Sequence, residues 1–283
     1  MENNSFIPVA LTIAGSDSSG GAGMQADLKT FTSLGVYGTS AITCTVAEHP
    51  GRVASIISLP ADHVGEQIRL VAEAFPIAAA KTGMLFTRDI VEAVVAETER
   101  EGGALFGVPL VVDPVMVASS GAQLLKDDAV EGIRTRLIPL AALVTPNRDE
   151  AALLLGRPIT TLDELRAAGR ELVTRYRVPF LVKGGHLRGT HAVDLLCIPG
   201  ADGVEITEFT HVMIPDVDPH GTGCTFSASV AAGLAQGLSL KDSVLRGKKF
   251  ITAAIVKHYK IGGYTLLNQM PVAAAAADLV ELA

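Results

Sequence analysis

Two glycines and a cysteine precede a helical pattern in the segment PHGTGCTFSASVAAGLAQG, residues 219 to 237. Gly221 and Gly223 allow backbone conformations that turn successive N–H groups inward, and a helix beginning near Thr222 adds the positive end of its dipole. This combination predicts an anion-binding hole. The same field favours a thiolate, so Cys224 is a candidate base or nucleophile. The alternative is a small, inert, half-buried thiol at the start of a helix.

Acids, an amide and a lysine follow three other apolar segments. Asp113 comes directly after one of them, and Asn147 and Glu150 have the spacing N-x-x-E after the next. Because Mg²⁺ prefers oxygen ligands and keeps several waters, Asp113 and Glu150 are candidate metal ligands. Lys183 ends a third apolar segment and is a candidate partner for nucleotide phosphates. Taken alone, Asn147 and Glu150 also fit the N-cap and first turn of a helix.

The segment GSDSSGGAG, residues 15 to 23, is rich in glycine. It has neither the GxxxxGK[ST] pattern of a P-loop nor the GxGxxG spacing of a dinucleotide fingerprint. We interpret it as a turn that brings backbone N–H groups close to a ligand, followed by a helix that contains Asp27. The alternative is an ordinary tight turn between a strand and a helix.

Apolar, β-rich segments alternate with segments of helical periodicity, and this order positions the candidate residues. The predicted strands are residues 9 to 14, 40 to 46, 78 to 83, 109 to 114, 142 to 146 and 179 to 185. The helical patterns are residues 26 to 35, 63 to 75, 87 to 101, 127 to 139 and 162 to 176. Apolar strands followed by helices predict a mostly parallel sheet covered on both faces, which is a three-layer αβα fold of the α/β class.

The pattern changes after residue 185. Residues 191 to 199 and 203 to 215 predict an antiparallel extension of the sheet, with a turn at residues 200 to 203. Two long helices follow from about residue 222, and the alanine-rich end PVAAAAADLVELA predicts a packing helix. Ligands of open parallel sheets bind where strands end and helices begin, and the candidate residues above fall on that edge.

Composition excludes several classes of function. The net charge of -7 and the lack of a lysine or arginine cluster longer than Lys248 and Lys249 argue against nucleic acid and anionic membranes as partners. Three scattered cysteines do not form a disulfide framework or a paired zinc site. The first residues lack the basic region of a signal peptide, so we expect a cytoplasmic protein with one domain over residues 1–283.

Six segments together resemble one enzyme family. VALTIAGSDSSGGAGMQADLKTF, KTGML, VVDPVM, VTPNRDEA, VKGGH and HGTGCTFSASVAAGLA occur in this order over roughly residues 8 to 260. The chain is similar to the hydroxymethylpyrimidine/phosphomethylpyrimidine kinases of thiamine biosynthesis, within the ribokinase-like superfamily. The resemblance implies a homodimer that uses ATP and Mg²⁺ to phosphorylate 4-amino-5-hydroxymethyl-2-methylpyrimidine and then its monophosphate.

The resemblance also implies roles for particular residues. Those implied to bind the pyrimidine are Gly15, Asp27 and Met84; those implied to bind ATP are Asn147, Lys183 and Thr222. Asp113 and Glu150 would hold magnesium. In the family, cysteine occupies the position that is an aspartate base in many ribokinase relatives, and Cys224 fits that pattern. With Gly221, Gly223 and Lys183, it completes the implied catalytic set.

The sequence departs from the family at one position. A glutamine in a TAQNT-like segment pairs with the aminopyrimidine in these kinases, whereas this chain has TVAEHPGRV and therefore Glu48. A carboxylate accepts hydrogen bonds but donates none unless it is protonated. Glu48 either accepts from the 4-amino group or indicates a different substrate; the alternative is a surface glutamate beside a turn at His49 and Pro50.

Two other functions stay open at this point. Relatives with the same GTGC segment phosphorylate vitamin B6 alcohols, so a pyridoxal or pyridoxine kinase is the second enzyme hypothesis. A non-catalytic sensor that retains the pyrimidine pocket is the third, although Lys183, Glu150 and the GTGC segment argue against it. For the first hypothesis, we expect Cys224 to serve the alcohol step more than the monophosphate step, because a phosphate oxygen is already ionised at neutral pH.

Overall fold

The computed structural model of the chain describes residues 7–116, 127–185, 190–214, 220–270 and 281–282. Its strands are β1 (Val9–Asp17), β2 (Tyr37–His49), β3 (Arg52–Ser58), β4 (Ile77–Thr82), β5 (Leu110–Val112), β6 (Leu143–Val144), β7 (Phe180–Lys183), β8 (His191–Gly200), β9 (Gly203–Val212), β10 (Tyr259–Ile261), β11 (Tyr264–Leu266) and β12 (Glu281–Leu282). Ten of these strands form one sheet, in the order β12-β9-β8-β7-β6-β5-β4-β1-β2-β3.

Eight α-helices connect the strands in the described part of the chain. They are α1 (Gly23–Ser33), α2 (Ala61–Ala74), α3 (Arg88–Thr98), α4 (Asp127–Gly132), α5 (Arg148–Leu155), α6 (Leu162–Tyr176), α7 (Thr222–Ala235) and α8 (Leu240–Val256). A π-helical turn (Ile133–Leu137) and a 3-10 turn (Ile138–Leu140) continue α4. None of the helices in these ranges is both long and apolar enough to cross a membrane.

The centre of the sheet is parallel and its flanks are antiparallel. Strands β2, β1, β4, β5, β6 and β7 run in the same direction. Strand β3 pairs antiparallel with β2, and β8 pairs antiparallel with β7 and β9. The predicted α/β architecture and its antiparallel extension are therefore confirmed.

Two apolar cores cover the two faces of the sheet. Leu11 and Ile13 of β1 pack with helices α2 to α6, whereas Ala10 packs with α1, α7 and α8. The alternation along β1 is that of a strand buried on both faces. The helices thus form two layers, and the sheet lies between them.

Four features of the chain differ from the prediction. Strand β1 continues through Asp17, because Ser16 and Asp17 still pair with β2 after a bulge, so the glycine-rich loop is shorter than residues 15 to 23. Strand β3 and the β10–β11 hairpin were not predicted, since most of their side chains are exposed and show no apolar pattern. Most of the predicted alanine-rich helix lies outside the described residues, but Glu281–Leu282 pair with β9 as a strand.

Candidate active site

The first glycine-rich loop folds around the carboxylate of Asp17. The Asp17 oxygens accept hydrogen bonds from the amides of Ser19 (2.7 Å), Gly21 (3.1 Å) and Ala22 (2.7 Å) and from Nε2 of His220 (3.1 Å). Burial disfavours the charged form, but the hydrogen bonds from His220 and the loop hold the pKa of Asp17 well below its usual range. The amides of Ser19, Gly21 and Ala22 are therefore bonded to Asp17, and ligand binding by other N–H groups of the loop stays a prediction.

The second glycine-rich segment forms the predicted helix N-terminus. Gly221 is the N-cap of α7 with φ +89°, and its carbonyl accepts from the amide of Thr225 at 3.0 Å. The preceding amides of Thr222, Gly223 and Cys224 belong to the first turn, where helical N–H groups have no partner within the helix. A side chain at Gly221 would collide with the carbonyl oxygen of Gly21. The two glycine-rich segments are therefore in direct contact.

Cys224 lies in this first turn, but its thiol does not have the predicted acidity. Burial raises its pKa to about 11, and Asp27 and Asp113 act in the same direction, whereas Lys81 and the Gly23 amide oppose them. Loss of solvation outweighs the influences that favour the thiolate, so the pKa of Cys224 is raised where the sequence predicts that it is lowered. Cys224 is a neutral thiol at neutral pH.

A buried ion pair lies beside Cys224. Lys81 Nζ is 2.8 and 3.0 Å from the two carboxylate oxygens of Asp27, and the Thr12 hydroxyl donates to Asp27 at 2.6 Å. Lys81 and Asp27 are both fully buried. Burial disfavours the lysine charge, but Asp27 holds the pKa of Lys81 above its usual range. The Asp27 carboxylate therefore pairs with the Lys81 ammonium in the interior and is not exposed to solvent.

Gly15 and Met84 are neighbours, as the resemblance implied. The amide of Gly15 donates to the carbonyl of Met84 at 3.1 Å, and the Thr43 hydroxyl donates to the same carbonyl at 2.6 Å. A Cβ at Gly15 would lie 2.7 Å from Sγ of Cys44 and 3.3 Å from Cε of Met84. Any residue larger than glycine would therefore overlap Cys44 and crowd Met84.

Glu48 is half-buried near the end of β2, close to the first loop. The turn of the β2–β3 hairpin is formed by Pro50 and Gly51, so Glu48 lies in the strand just before the turn and is only partly exposed. Ligand atoms of Glu48, Asp17 and His220 all lie within 4.8 Å of one another. Burial and the charge of Asp17 raise the pKa of Glu48, and Asp17 raises the pKa of His220.

A second group of polar residues lies at the ends of β5 and β7. Asp113 is 4% exposed, and its Oδ1 is 3.5 Å from Nζ of Lys183. Its Oδ2 accepts from the Ser227 hydroxyl at 3.0 Å. A Cβ at Gly223 would be 3.2 Å from Lys183 Nζ and 3.7 Å from Asp113 Oδ2. The first turn of α7 therefore touches this group as well as the first loop.

Asn147 and Glu150 form a complete capping box at the start of α5. Asn147 Oδ1 accepts from the amides of Asp149 and Glu150, and Glu150 Oε2 accepts from the Asn147 amide at 2.8 Å. The other oxygen of Glu150 accepts from the amide of Met116 at 3.1 Å. Burial and the charge of Asp113 raise the pKa of Glu150 to about 7, although Lys183 lowers it. The predicted capping roles are confirmed, and they place Glu150 in the Asp113–Lys183 group.

The two strand ends that carry Asn147 and Lys183 are joined directly. A parallel bridge links the two residues, and the amide of Lys183 donates to the carbonyl of Pro146 at 2.9 Å. Val115, two residues after Asp113, has φ +44°, which is a strained conformation for a β-branched residue. This turn presents the Met116 amide to Glu150. His186, the last residue of the VKGGH segment, lies outside the described residues.

Known proteins resemble this chain over most of its length. A sequence model of the family described as phosphomethylpyrimidine kinase matches residues 17–268. The chain belongs to this family. A curated relative from Rhizobium meliloti (strain 1021), a hydroxymethylpyrimidine/phosphomethylpyrimidine kinase, is 44% identical over 87% of this chain and 90% of its own. The expected family resemblance and the expected kinase activity are confirmed.

Solved structures of two kinases superpose on this phosphomethylpyrimidine kinase family member. Pyridoxal kinase from Staphylococcus aureus in complex with ADP has a TM-score of 0.86 and 32% identity, covering 99% of each chain. Phosphomethylpyrimidine kinase from Clostridium difficile 630 has a TM-score of 0.72 and 38% identity, covering 88% of this chain and 99% of the other. The ribokinase-like fold is therefore confirmed.

Sequence reasoning missed several polar residues of this kinase. Lys81 stands in a strand of small apolar residues, and that isolated charge was the available signal. Asp194 similarly interrupts the apolar strand β8; it accepts from the amide of Gly184 at 3.1 Å and from Nζ of Lys248 at 2.5 Å. Lys248 is therefore buried, and its ammonium group is directed at Asp194 and not at solvent. No local signal marks His220 as a partner of Asp17.

Proposed function

We propose that this family member transfers a phosphoryl group from ATP to the hydroxymethyl group of 4-amino-5-hydroxymethyl-2-methylpyrimidine, and then to the resulting monophosphate. One observation carries the proposal: the first turn of α7 touches both polar groups. Gly221 packs on the first loop beside Asp17, whereas Gly223 lies against Lys183 and Asp113. An anion hole in this position supports transfer between an acceptor on the first-loop side and a nucleotide on the Lys183 side.

Phosphoryl transfer depends on positioning and charge stabilisation more than on covalent chemistry of the protein. In the proposed complex, the amides of Thr222, Gly223 and Cys224 donate to the oxygens of the transferred group. Lys183 contributes a positive charge on the nucleotide side, and Asn147 lies next to it in the bridged strand ends. Gly15, Met84 and Glu48 form the acceptor side, with Asp27 acting through Lys81.

Asp113 and Glu150 fit a hydrated magnesium ion. Two carboxylates lie in one buried group, and their mutual repulsion contributes to the raised pKa of Glu150. Mg²⁺ is usually held by one or two carboxylates together with waters and substrate phosphates, which is the donor set available here. When bound, the ion neutralises charge on the phosphates. The hydrogen bonds from Met116 and Asn147 fix the orientation of Glu150, and Ser227 fixes that of Asp113.

A pyridoxal kinase is the second candidate function. Its support is the similarity to the Staphylococcus aureus pyridoxal kinase, which covers 99% of both chains. Glu48, where the resemblance leads us to expect glutamine, is consistent with a substrate other than the aminopyrimidine. Both candidates place a ring with a hydroxymethyl group on the first-loop side, so they differ in the ring and not in the reaction.

A coupled ADP-release assay with the hydroxymethylpyrimidine, its monophosphate and pyridoxal tests the proposal. We expect both pyrimidines to be phosphorylated. Lys183→Met should lower kcat about a hundredfold or more, because the positive charge of the lysine beside the transferred phosphoryl group is lost. Lys260→Met, on the exposed strand β10, is the matched control. A preference for pyridoxal would support the second candidate, and ADP release with none of the three would refute both.

Homodimer formation and a cytoplasmic location also remain proposals. The edge strand β3 exposes apolar side chains, with Val53 38% and Ile57 65% exposed, and a second copy of the chain would cover them. The three cysteines are free thiols, as a reducing compartment would maintain. Sedimentation equilibrium of the purified protein would refute the dimer if it gave the mass of a single chain.

A further inference from the structure

The segment after α8 folds back over both glycine-rich segments. Strands β10 and β11 form a hairpin, and Leu266 at its end makes a parallel bridge to His220. Three residues later comes Gln269, whose side chain is buried although it is polar, with the residue only 5% exposed. A buried amide requires hydrogen-bond partners, so its contacts show what this segment holds.

The amide nitrogen of Gln269 has two partners on different elements. It donates to the hydroxyl of Thr225 at 2.7 Å, and it donates to the carbonyl oxygen of Gly21 at 3.3 Å. These two bonds use both hydrogens of the NH₂ group. The main-chain carbonyl of Gln269 accepts from the hydroxyl of Ser33 at the end of α1. One residue therefore ties the first loop to the first turn of α7.

The two partners of Gln269 contact or belong to the two ends of the turn that carries the proposed anion hole, Gly221 and Thr225. The amide of Thr225 bonds to the carbonyl of Gly221, which starts the helix, and the Gly21 carbonyl is the atom against which Gly221 packs. Between Gly221 and Thr225 are the amides of the first turn. Those amides all belong to α7, so a separation of the first loop from α7 would change the position of the first-loop side of the site relative to them.

We propose that Gln269 is a positioning residue for phosphoryl transfer, which acts by holding the first loop and the first turn of α7 together around the anion hole. The inference rests on the proposed function. It assigns a role to a residue just beyond the segment that matches the family model, residues 17–268. Transfer requires the acceptor side to be held at a fixed position relative to the donors of the hole, so a looser contact between the first loop and α7 lowers the rate of transfer and leaves ATP binding little changed.

The test compares Gln269→Leu, which keeps the size of the side chain and removes both donors, with Ser33→Ala. Ser33→Ala removes the hydrogen bond to the main-chain carbonyl of Gln269 and leaves its side-chain amide in place. We expect Gln269→Leu to lower kcat about five- to tenfold with both pyrimidine acceptors, the rate equivalent of one buried hydrogen bond. The KM for ATP should stay within about twofold, because transfer and not nucleotide binding is affected. Ser33→Ala should behave as the unmodified protein.

A second variant approaches the same bond from the other side. Thr225→Val retains the branched shape and removes the acceptor, so it should reproduce the loss of kcat, and it serves as the test if Gln269→Leu does not fold. The double variant should be no slower than the slower single variant, because both substitutions remove the same hydrogen bond between Gln269 and Thr225. Additive losses would overturn the proposal.

Hydrogen exchange of the ligand-free protein gives a readout independent of the substrate. Gln269→Leu should speed exchange in peptides covering residues 18 to 24 and 220 to 226, and Ser33→Ala should not. Faster exchange with unchanged kcat would show a purely structural contact and overturn the positioning role. An unmodified protein inactive on every acceptor would refute the proposed function, while unchanged exchange in both peptides would refute the link itself.

Discussion

Cys224 is subject to opposing influences, and their balance decides its protonation. Loss of solvation and the carboxylates of Asp27 and Asp113 favour the neutral thiol, and they outweigh Lys81 and the Gly23 amide. A thiol whose pKa is about 11 is protonated at neutral pH, so any role as a base passes through a small thiolate fraction. That role matters only for an acceptor that must lose a proton.

We therefore predict that Cys224→Ala lowers kcat/KM for the hydroxymethylpyrimidine about a hundredfold, the lower range of general base catalysis, and for the monophosphate less than tenfold. Below pH 11, the rate of the alcohol step should rise with pH, because the active thiolate fraction increases about tenfold per pH unit. Steady-state rates on the two acceptors between pH 7 and about 10 provide the measurement. Equal losses in the two steps, or a flat profile for the alcohol, would rule out the base.

At the scale of elements, the site depends on how closely the first loop approaches α7. Gly221 is the contact point, and it meets two requirements at once: its φ is +89°, and a Cβ there would overlap the Gly21 carbonyl. Gly156, at the end of α5, has φ +71° but nothing within 4 Å of the corresponding position. A side chain at Gly156 would therefore cause backbone strain alone, whereas a side chain at Gly221 would cause backbone strain and a steric clash.

We predict that Gly156→Ala costs about 1 to 2 kcal/mol of unfolding free energy, the usual cost of a left-handed conformation for alanine, and leaves kcat unchanged. Gly221→Ala should cost more, because the loop must also move, and it should abolish most of the activity. Urea unfolding and ADP release of the two variants check this. Similar kinetics for both would mean that the close approach is not required.

The strands that position the site could be predicted, whereas the contacts between distant elements could not. The buried strands β1, β4, β5 and β7 are mostly apolar, so the ends of these strands and the residues that follow them could be located from the sequence. Asp17 was not assigned a role, because its partner His220 lies 203 residues away and no local pattern connects them. Gln269 and Gly21 are separated still further, by 248 residues.

At the scale of the whole molecule, burial of thiols links stability to pH. Cys44 and Cys197 are fully buried, and burial raises their pKa values to about 11 and about 12. In the unfolded chain, thiols ionise near pH 8.5. Because the folded pKa is the higher one, the stabilisation is complete below about pH 8.5 and is lost as the pH rises toward 11 and 12.

We predict that the free energy of unfolding falls by about 1.4 kcal/mol per pH unit for each of these thiols between pH 9 and 11. Cys197→Ala should be less stable at pH 7, because it leaves a cavity, but it should show a shallower alkaline decline. Urea unfolding at a series of pH values measures both quantities. A decline that is the same with and without Cys197 would contradict the assignment.

The continuous sheet through the described residues supports the prediction of one domain over residues 1–283, which nevertheless stays a prediction. Strand order also shows that the edges, β3 and β12, are the parts farthest from the parallel centre. The exposed edge at β3 is where the proposed second copy would pair.

The bonds from His220 and Gln269 to the first loop have a consequence for synthesis of the protein. Strands β1 to β7, together with Asp113, Glu150 and Lys183, have been synthesised by residue 183, before the Ser227 partner of Asp113. The hydrogen bond between Asp17 and His220, however, forms only after His220 has been synthesised, and the bond to the Gly21 carbonyl forms only after Gln269 has been synthesised. A nascent chain can therefore assemble most of its nucleotide side early, while the contact beside the hole that receives the phosphoryl group forms only after residue 269 has been synthesised.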